Sequence, residues 1–222
     1  QVTEILDFCK KSKIDTIDTA IAYGDCERLL GKVLCNNFKL VTKLPSIPSE
    51  NINNEEYWIK NQIADSLDRL RVSNIHALLL HRSNEFKKKS VRSTLHFLKK
   101  QGIVNKIGIS IYSPNELEVI PIEDGIDIVQ APLNVVDQRL IQSGWLDKLH
   151  ELDIEIHSRS VFLQGLFYLS DLEIKKKFPD VYDAISQLKI IANKAGITIS
   201  ELSLLWVSSL DFNGKIINIS NI

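Results

Sequence analysis

Short apolar runs rich in β-branched residues alternate along this chain with longer amphipathic, charged runs. The apolar runs predict strands near 14–19, 39–44, 76–81, 106–110, 126–131, 154–159 and 215–220. They are continuous rather than strictly alternating, as expected of parallel strands covered on both faces. The runs between them predict helices near 1–12, 24–36, 55–71, 86–101, 114–121, 137–152, 182–195 and 198–210. The third helix carries the clearest stripe, with Ile59, Ile63, Leu67 and Leu70 on one face. Gly102 after Lys99-Lys100-Gln101 reads as a helix stop with cations in the last turn. Ser113-Pro114 reads as a cap followed by proline at the first helical position.

Strands alternating with helices predict a parallel α/β fold, either an open doubly wound sheet or a closed barrel. The nine glycines separate the two. No pair stands two positions apart, so there is no G-x-G-x-x-G, and Gly31-Lys32 is followed by Val33 rather than Ser or Thr. A (β/α)8 TIM-type barrel is therefore expected, and such barrels place their chemistry at the C-terminal ends of the strands.

Composition narrows the class further. No linker or compositional shift divides residues 1–222, which suit one barrel domain. The 27 basic and 28 acidic side chains leave a formal net charge of -1, so nothing draws the chain toward nucleic acid or a membrane surface. Lys87-Lys88-Lys89 and Lys175-Lys176-Lys177 have no interleaved aromatics and read as solvated surface. No apolar run approaches the length of a bilayer span. Cys9, Cys26 and Cys35 are an odd number without metal-type spacing, which suggests reduced thiols and a cytoplasmic setting. Nothing in the sequence sets an oligomeric state.

The ends of successive predicted strands carry titratable groups. The first ends at Asp18, with Tyr23 in the loop beyond it; the next ends at Lys43, and the next at His81. Singly, each has a plain structural role: Asp18 could cap a loop, Tyr23 could plug a turn, Lys43 could snorkel to solvent, and His81 could be a satisfied barrel histidine. Together they suit one reaction. Reducing a carbonyl places developing negative charge on oxygen, which needs a proton donor. A phenol has a pKa of about 10 and is helped by a nearby ammonium that stabilises the phenolate. A carboxylate would hold that ammonium in place, and an imidazole could orient the carbonyl.

The run Asp18-Thr19-Ala20-Ile21-Ala22-Tyr23-Gly24, followed by Glu27-Arg28-Leu29-Leu30-Gly31, resembles the aldo-keto reductase hallmark D-T-A-x-x-Y-G-x-x-E-x-x-L-G. Val41-Thr42-Lys43, Ser66-Leu67-Asp68-Arg69-Leu70, Leu78-Leu79-Leu80-His81, Lys106-Ile107-Gly108-Ile109-Ser110 and Val129-Gln130-Ala131-Pro132-Leu133-Asn134 resemble further motifs of that family. The resemblance implies a nicotinamide-dependent oxidoreductase acting on a small-molecule aldehyde or ketone. It implies Tyr23 as general acid, Lys43 and Asp18 as its tuning pair and His81 as the carbonyl-orienting group. Ser110 and Gln130 would hold the nicotinamide carboxamide, with Arg159 and Ser160 also at the cofactor. NADPH is favoured over NADH by resemblance alone, and no metal is implied.

Two departures stand out. The family usually has Asn where Ile111 follows Ser110, and Arg159 stands where an aromatic usually stacks on the nicotinamide. A guanidinium plane can also stack on a ring, or Arg159 could reach cofactor phosphates or substrate. Phe162 and Trp145 could wall a pocket or simply pack the core. Segments 46–54 and 166–181 are long and polar enough to form lids. The family barrel also implies a strand before the first helix and a helix after the last strand. The reading is thus of a barrel incomplete at both ends, its gap flanked by the Asp18 strand and the strand near 215–220. Two alternatives remain: a cofactor-binding regulatory or scaffold subunit with weak or no catalysis, and a metal-dependent barrel hydrolase. The hydrolase lacks support: His81 is the clearest strand-end histidine, His157 is close to another strand end, and no H-x-H occurs.

Overall fold

The computed structural model describes residues 2–33, 38–212 and 216–217. Two compact units divide the chain: unit 1 comprises residues 1–111 and 115–129, and unit 2 comprises 112–114 and 130–222.

Unit 1 opens with α1 (Val2–Lys11), β1 (Thr16–Asp18), α2 (Cys26–Val33) and β2 (Lys39–Leu44). It continues through α3 (Glu55–Leu70), β3 (Ile75–Leu80), α4 (Lys89–Lys100) and β4 (Val104–Ser110). The first residues of β5 (Ile128–Pro132) close it. The strands lie side by side in chain order, β1 against β2, β2 against β3 and β3 against β4, every pair parallel. The register sets Asp18 beside Val41 and Lys43 beside Leu79. Val41, Ala77, Leu79 and Ile128 form a fully buried cluster between strands. Side chains two apart share a face of a strand, so Lys43 is the next residue on the face that buries Val41. The helix predicted for 24–36 begins at Cys26 after a turn, and residues 34–36 lie outside the described residues. Residues 83–87 and 114–119 are tighter 3₁₀ turns rather than α-helix.

α2 packs closely against α3 at Gly31. A Cβ on Gly31 would stand 2.1 Å from the Arg69 carbonyl oxygen. Only glycine permits this approach.

Unit 2 contains the end of β5, α5 (Arg139–Gln142), α6 (Trp145–Glu151), β6 (Glu155–Arg159), α7 (Asp171–Lys177), α8 (Pro179–Lys194), α9 (Ile199–Ser209) and β7 (Ile216–Ile217). β6 pairs in parallel with β7 through His157 opposite Ile216. The single helix predicted for 137–152 is broken: Gly144 takes φ 76° and separates α5 from α6. The predicted lid 166–181 is not a long polar loop either. Ser170 caps α7 through a reciprocal capping box with Glu173. Ile174 then packs with Phe167, Ile185 and Ile199 in a second core, against which Phe162 also rests. α8 starts at Pro179, earlier than expected, because proline suits the first helical turn. The strand expected at 215–220 is described only at Ile216–Ile217. Trp145 is buried, as its core reading requires. No single helix among the described residues is long and apolar enough to cross a membrane.

Candidate functional site

Unit 1 brings the three predicted strand-end groups and the loop residue Tyr23 to one rim. Lys43 is only 1% exposed, so it does not snorkel to solvent. Its Nζ lies 2.6 Å from Asp18 Oδ2 and donates to the Thr19 carbonyl at 2.8 Å. A cation this deeply buried needs such partners to remain charged. Backbone bonds carry the loop after β1 along β2: Thr19 N donates to Val41 O and Ile21 N to Lys43 O. That loop delivers Tyr23, whose ring centroid stands 5.3 Å from Lys43 Nζ. Beyond β3, His81 N donates to Leu44 O. The His81 ring meets Tyr23 edge-on at 5.9 Å between centroids. Tyr23 is 45% exposed, so a molecule from solvent can reach it. The arrangement is a half-exposed phenol beside a buried, carboxylate-held ammonium and an imidazole. Ser110, at the end of β4, and Ile111 after it are both buried.

Sequence reasoning quoted Glu27 within a motif but gave it no role. It is a buried hub linking three elements. Its Oε1 accepts from Thr42 Oγ1 and Ser66 Oγ, each at 2.7 Å. Its Oε2 accepts from Arg69 Nε at 2.8 Å and pairs with Arg69 Nη2 at 2.7 Å. Glu27 thus ties the first turn of α2, just after Tyr23, to the residue before Lys43. The partners are distant in sequence, so only the E-x-x-L-G spacing could have drawn attention to it.

In unit 2, Gln130 is buried on β5. Asn134, at the end of the same motif, organises the next loop. Its Oδ1 accepts from Val136 N and Asp137 N, and its Nδ2 donates to Ser160 O at 3.1 Å. Ser158 Oγ donates to Leu133 O, fixing the end of β6 to the same loop. Arg159 does not stand alone: its guanidinium lies 4.8 Å over the Tyr112 ring and donates to Ser160 Oγ. Tyr112 was not singled out from sequence. Arg139 clasps Asp137 through Nε and Nη2 and also donates to the Tyr112 carbonyl. That Arg139 hydrogen bond, foremost, holds the Asp137 carboxyl below the usual carboxylate range, and Arg159 adds to the effect. Just beyond, Ser160, Leu163 and Gln164 all take positive φ, as does Gly165.

The Aldo/keto reductase family model matches residues 1–221. The chain belongs to the aldo-keto reductase family. A curated relative, aldo-keto reductase str7 of Strobilurus tenacellus, is 28% identical over 234 residues, covering 92% of this chain and 68% of that protein. Among solved structures, an aldo-keto reductase from Klebsiella pneumoniae in complex with NADPH superposes with TM-score 0.72 at 20% identity, over 99% of this chain and 74% of that one. The apo aldo-keto reductase AKR11C1 from Bacillus halodurans gives TM-score 0.76 at 21% identity, over 99% and 76%. At these identities the structural likeness is one of fold, and it places this aldo-keto reductase in the α/β class of TIM-type barrels. The family supports a nicotinamide-dependent oxidoreductase. Among the described residues, no group of three or more His, Cys, Asp or Glu is placed to hold a metal ion.

Proposed function

We propose that this aldo-keto reductase reduces an aldehyde or ketone to an alcohol by hydride transfer, with Tyr23 as proton donor. The observation that carries this reading is the buried Lys43–Asp18 pair beside the exposed Tyr23 ring. As the phenolic proton leaves Tyr23, negative charge grows on its oxygen, and a preorganised ammonium stabilises that charge. Asp18 and the Thr19 carbonyl fix the ammonium, so little reorganisation accompanies the transfer. His81, edge-on to Tyr23, is suited to donate a hydrogen bond to the carbonyl oxygen and set its angle of approach.

A nicotinamide cofactor supplies the hydride when bound. Two features of the chain fit such a group. Thr19 Oγ1, beside the Asp18–Lys43 pair, is buried without a hydrogen-bond partner among the described residues and could bond a ligand. In unit 2, the non-glycine residues at positive φ after β6 carry strain of about 1–3 kcal/mol each, which clusters at ligand clamps. In this reading Ser110 and Gln130 bind the carboxamide, and Arg159 and Ser160 contact the cofactor. NADPH is the favoured form, by analogy with the Klebsiella protein solved with it. The free thiols at Cys9 and Cys26 fit a cytoplasmic setting.

A second reading, a cofactor-binding subunit with weak catalysis, draws on Ile111: its buried alkyl side chain cannot make the amide contact expected there. Steady-state oxidation of NADPH with a panel of small aldehydes and ketones separates the two. Turnover that is lost in Tyr23→Phe supports the first; saturable NADPH binding without turnover on any carbonyl supports the second.

A further inference from the structure

Arg159 differs chemically from any aromatic at its position, because it brings a permanent positive charge. Tyr112 and Ser160 help hold it in place. Its Cζ lies over the Tyr112 ring, 4.8 Å from the centroid, and the electron-rich face of a phenol ring favours a cation there. Ser160 Oγ accepts from its Nη1 at 3.3 Å. Tyr112 is in turn secured through its carbonyl by Arg139. One nearby carboxylate, Asp137, is clasped by two nitrogens of Arg139.

The two redox forms of a nicotinamide ring differ by one charge. The oxidised ring is a pyridinium cation and the reduced ring is neutral. A cation beside the ring opposes the first electrostatically and leaves the second unaffected. A neutral aromatic platform makes no such distinction by charge.

We propose that Arg159, backed by Tyr112, makes this chain discriminate between cofactor redox states, binding reduced nicotinamide dinucleotides more tightly than oxidised ones. This rests on the reading that Arg159 lies at the nicotinamide. The consequence is a chain biased toward carbonyl reduction: the reduced cofactor loads readily, and the oxidised product is bound weakly.

The test is equilibrium binding, with no turnover involved. Isothermal titration calorimetry on the purified protein gives Kd for NADPH, NADP+, NADH and NAD+. The expected ratio of oxidised to reduced Kd is about tenfold or more for the phosphorylated pair, a modest share of the like-charge effect in a partly solvated site. Arg159→Gln removes the charge, and its ratio falls to near unity, mainly through tighter binding of NADP+. Arg159→Lys keeps the charge and retains the discrimination. Tyr112→Leu keeps the charge but loosens its placement, and its ratio lies between. An equal Kd for both forms in the unaltered protein overturns the inference, as does a ratio that Arg159→Gln leaves unchanged. The first of these needs no variant to fold. If none of the four dinucleotides binds, the cofactor reading of the chain fails along with it; binding without discrimination sinks this inference alone.

Discussion

Lys43 Nζ and Asp18 Oδ2 stand 2.6 Å apart, with the lysine side chain 2% exposed and the aspartate 12%. The pair sits at the end of two adjacent parallel strands, where the apolar face that buries Val41 gives way to the first charged group. Burial makes each partner dependent on the other. Replacing Lys43 with Met leaves a largely buried carboxylate without its ammonium, and breaking such a pair typically costs about 3–5 kcal/mol. We expect a lower urea midpoint and a loss of carbonyl reduction in Lys43→Met. The double variant Asp18→Asn/Lys43→Met should recover part of the stability and none of the activity.

Glu27 predicts a purely structural loss with a functional echo. Glu27→Ala removes the acceptor for Thr42, Ser66 and Arg69 together. A destabilisation of about 3 kcal/mol is expected, since buried hydrogen-bonded charge is lost from one side of a network. Urea unfolding followed by circular dichroism measures it. Unchanged stability would show that α2 is held by apolar contacts alone.

Gly31→Ala should be comparably damaging. Its Cβ would collide with the Arg69 backbone, which no rotamer change can relieve. Overpacking typically costs about 1–3 kcal/mol, and a clash with rigid backbone belongs at the upper end of that range. Thermal unfolding reads the effect, and a melting temperature equal to that of the unaltered protein would refute the close approach of α2 to α3.

The course of the chain was legible because each element is decided locally. β2 and β3 are continuous β-branched and leucine-rich runs, and the strand ends at Asp18, Lys43 and His81 followed from where those runs stop. The misses have physical causes. The predicted helix 137–152 keeps its apolar spacing across Ser143-Gly144, so periodicity alone could not reveal that Gly144 takes a left-handed turn. α7 is short and buries only Ile174, too little for a stripe, although Ser170 three residues before Glu173 was a readable capping signal. The hub role of Glu27 and the stacking of Arg159 on Tyr112 join residues far apart in sequence, and side-chain pairing at that separation leaves no periodic trace. Arg159 and Ile111 were visible as departures from the family pattern, but their surroundings were not.

The Asp137 carboxyl makes a prediction about pH. Its folded-state pKa is depressed, chiefly by the Arg139 hydrogen bond. Its contribution to stability is therefore fully present above the unfolded carboxylate value of about 3.9. It is lost as pH falls from there through the depressed folded value. NMR titration of the Asp137 carboxyl should show a midpoint below that of an unstructured aspartate, and Arg139→Ala should move it upward. A midpoint at the ordinary value in the unaltered protein would contradict the clasp.

The central claim is that Tyr23 delivers the proton. The most direct measurement is single-turnover hydride transfer by stopped flow, with saturating NADPH and para-nitrobenzaldehyde as an activated carbonyl. Tyr23→Phe keeps the ring against His81 and removes only the hydroxyl. The account predicts a fall in the transfer rate of at least about 100-fold, within the span of general acid catalysis, with the Kd for NADPH little changed. Transfer at an undiminished rate in Tyr23→Phe would contradict it and assign the proton to another group.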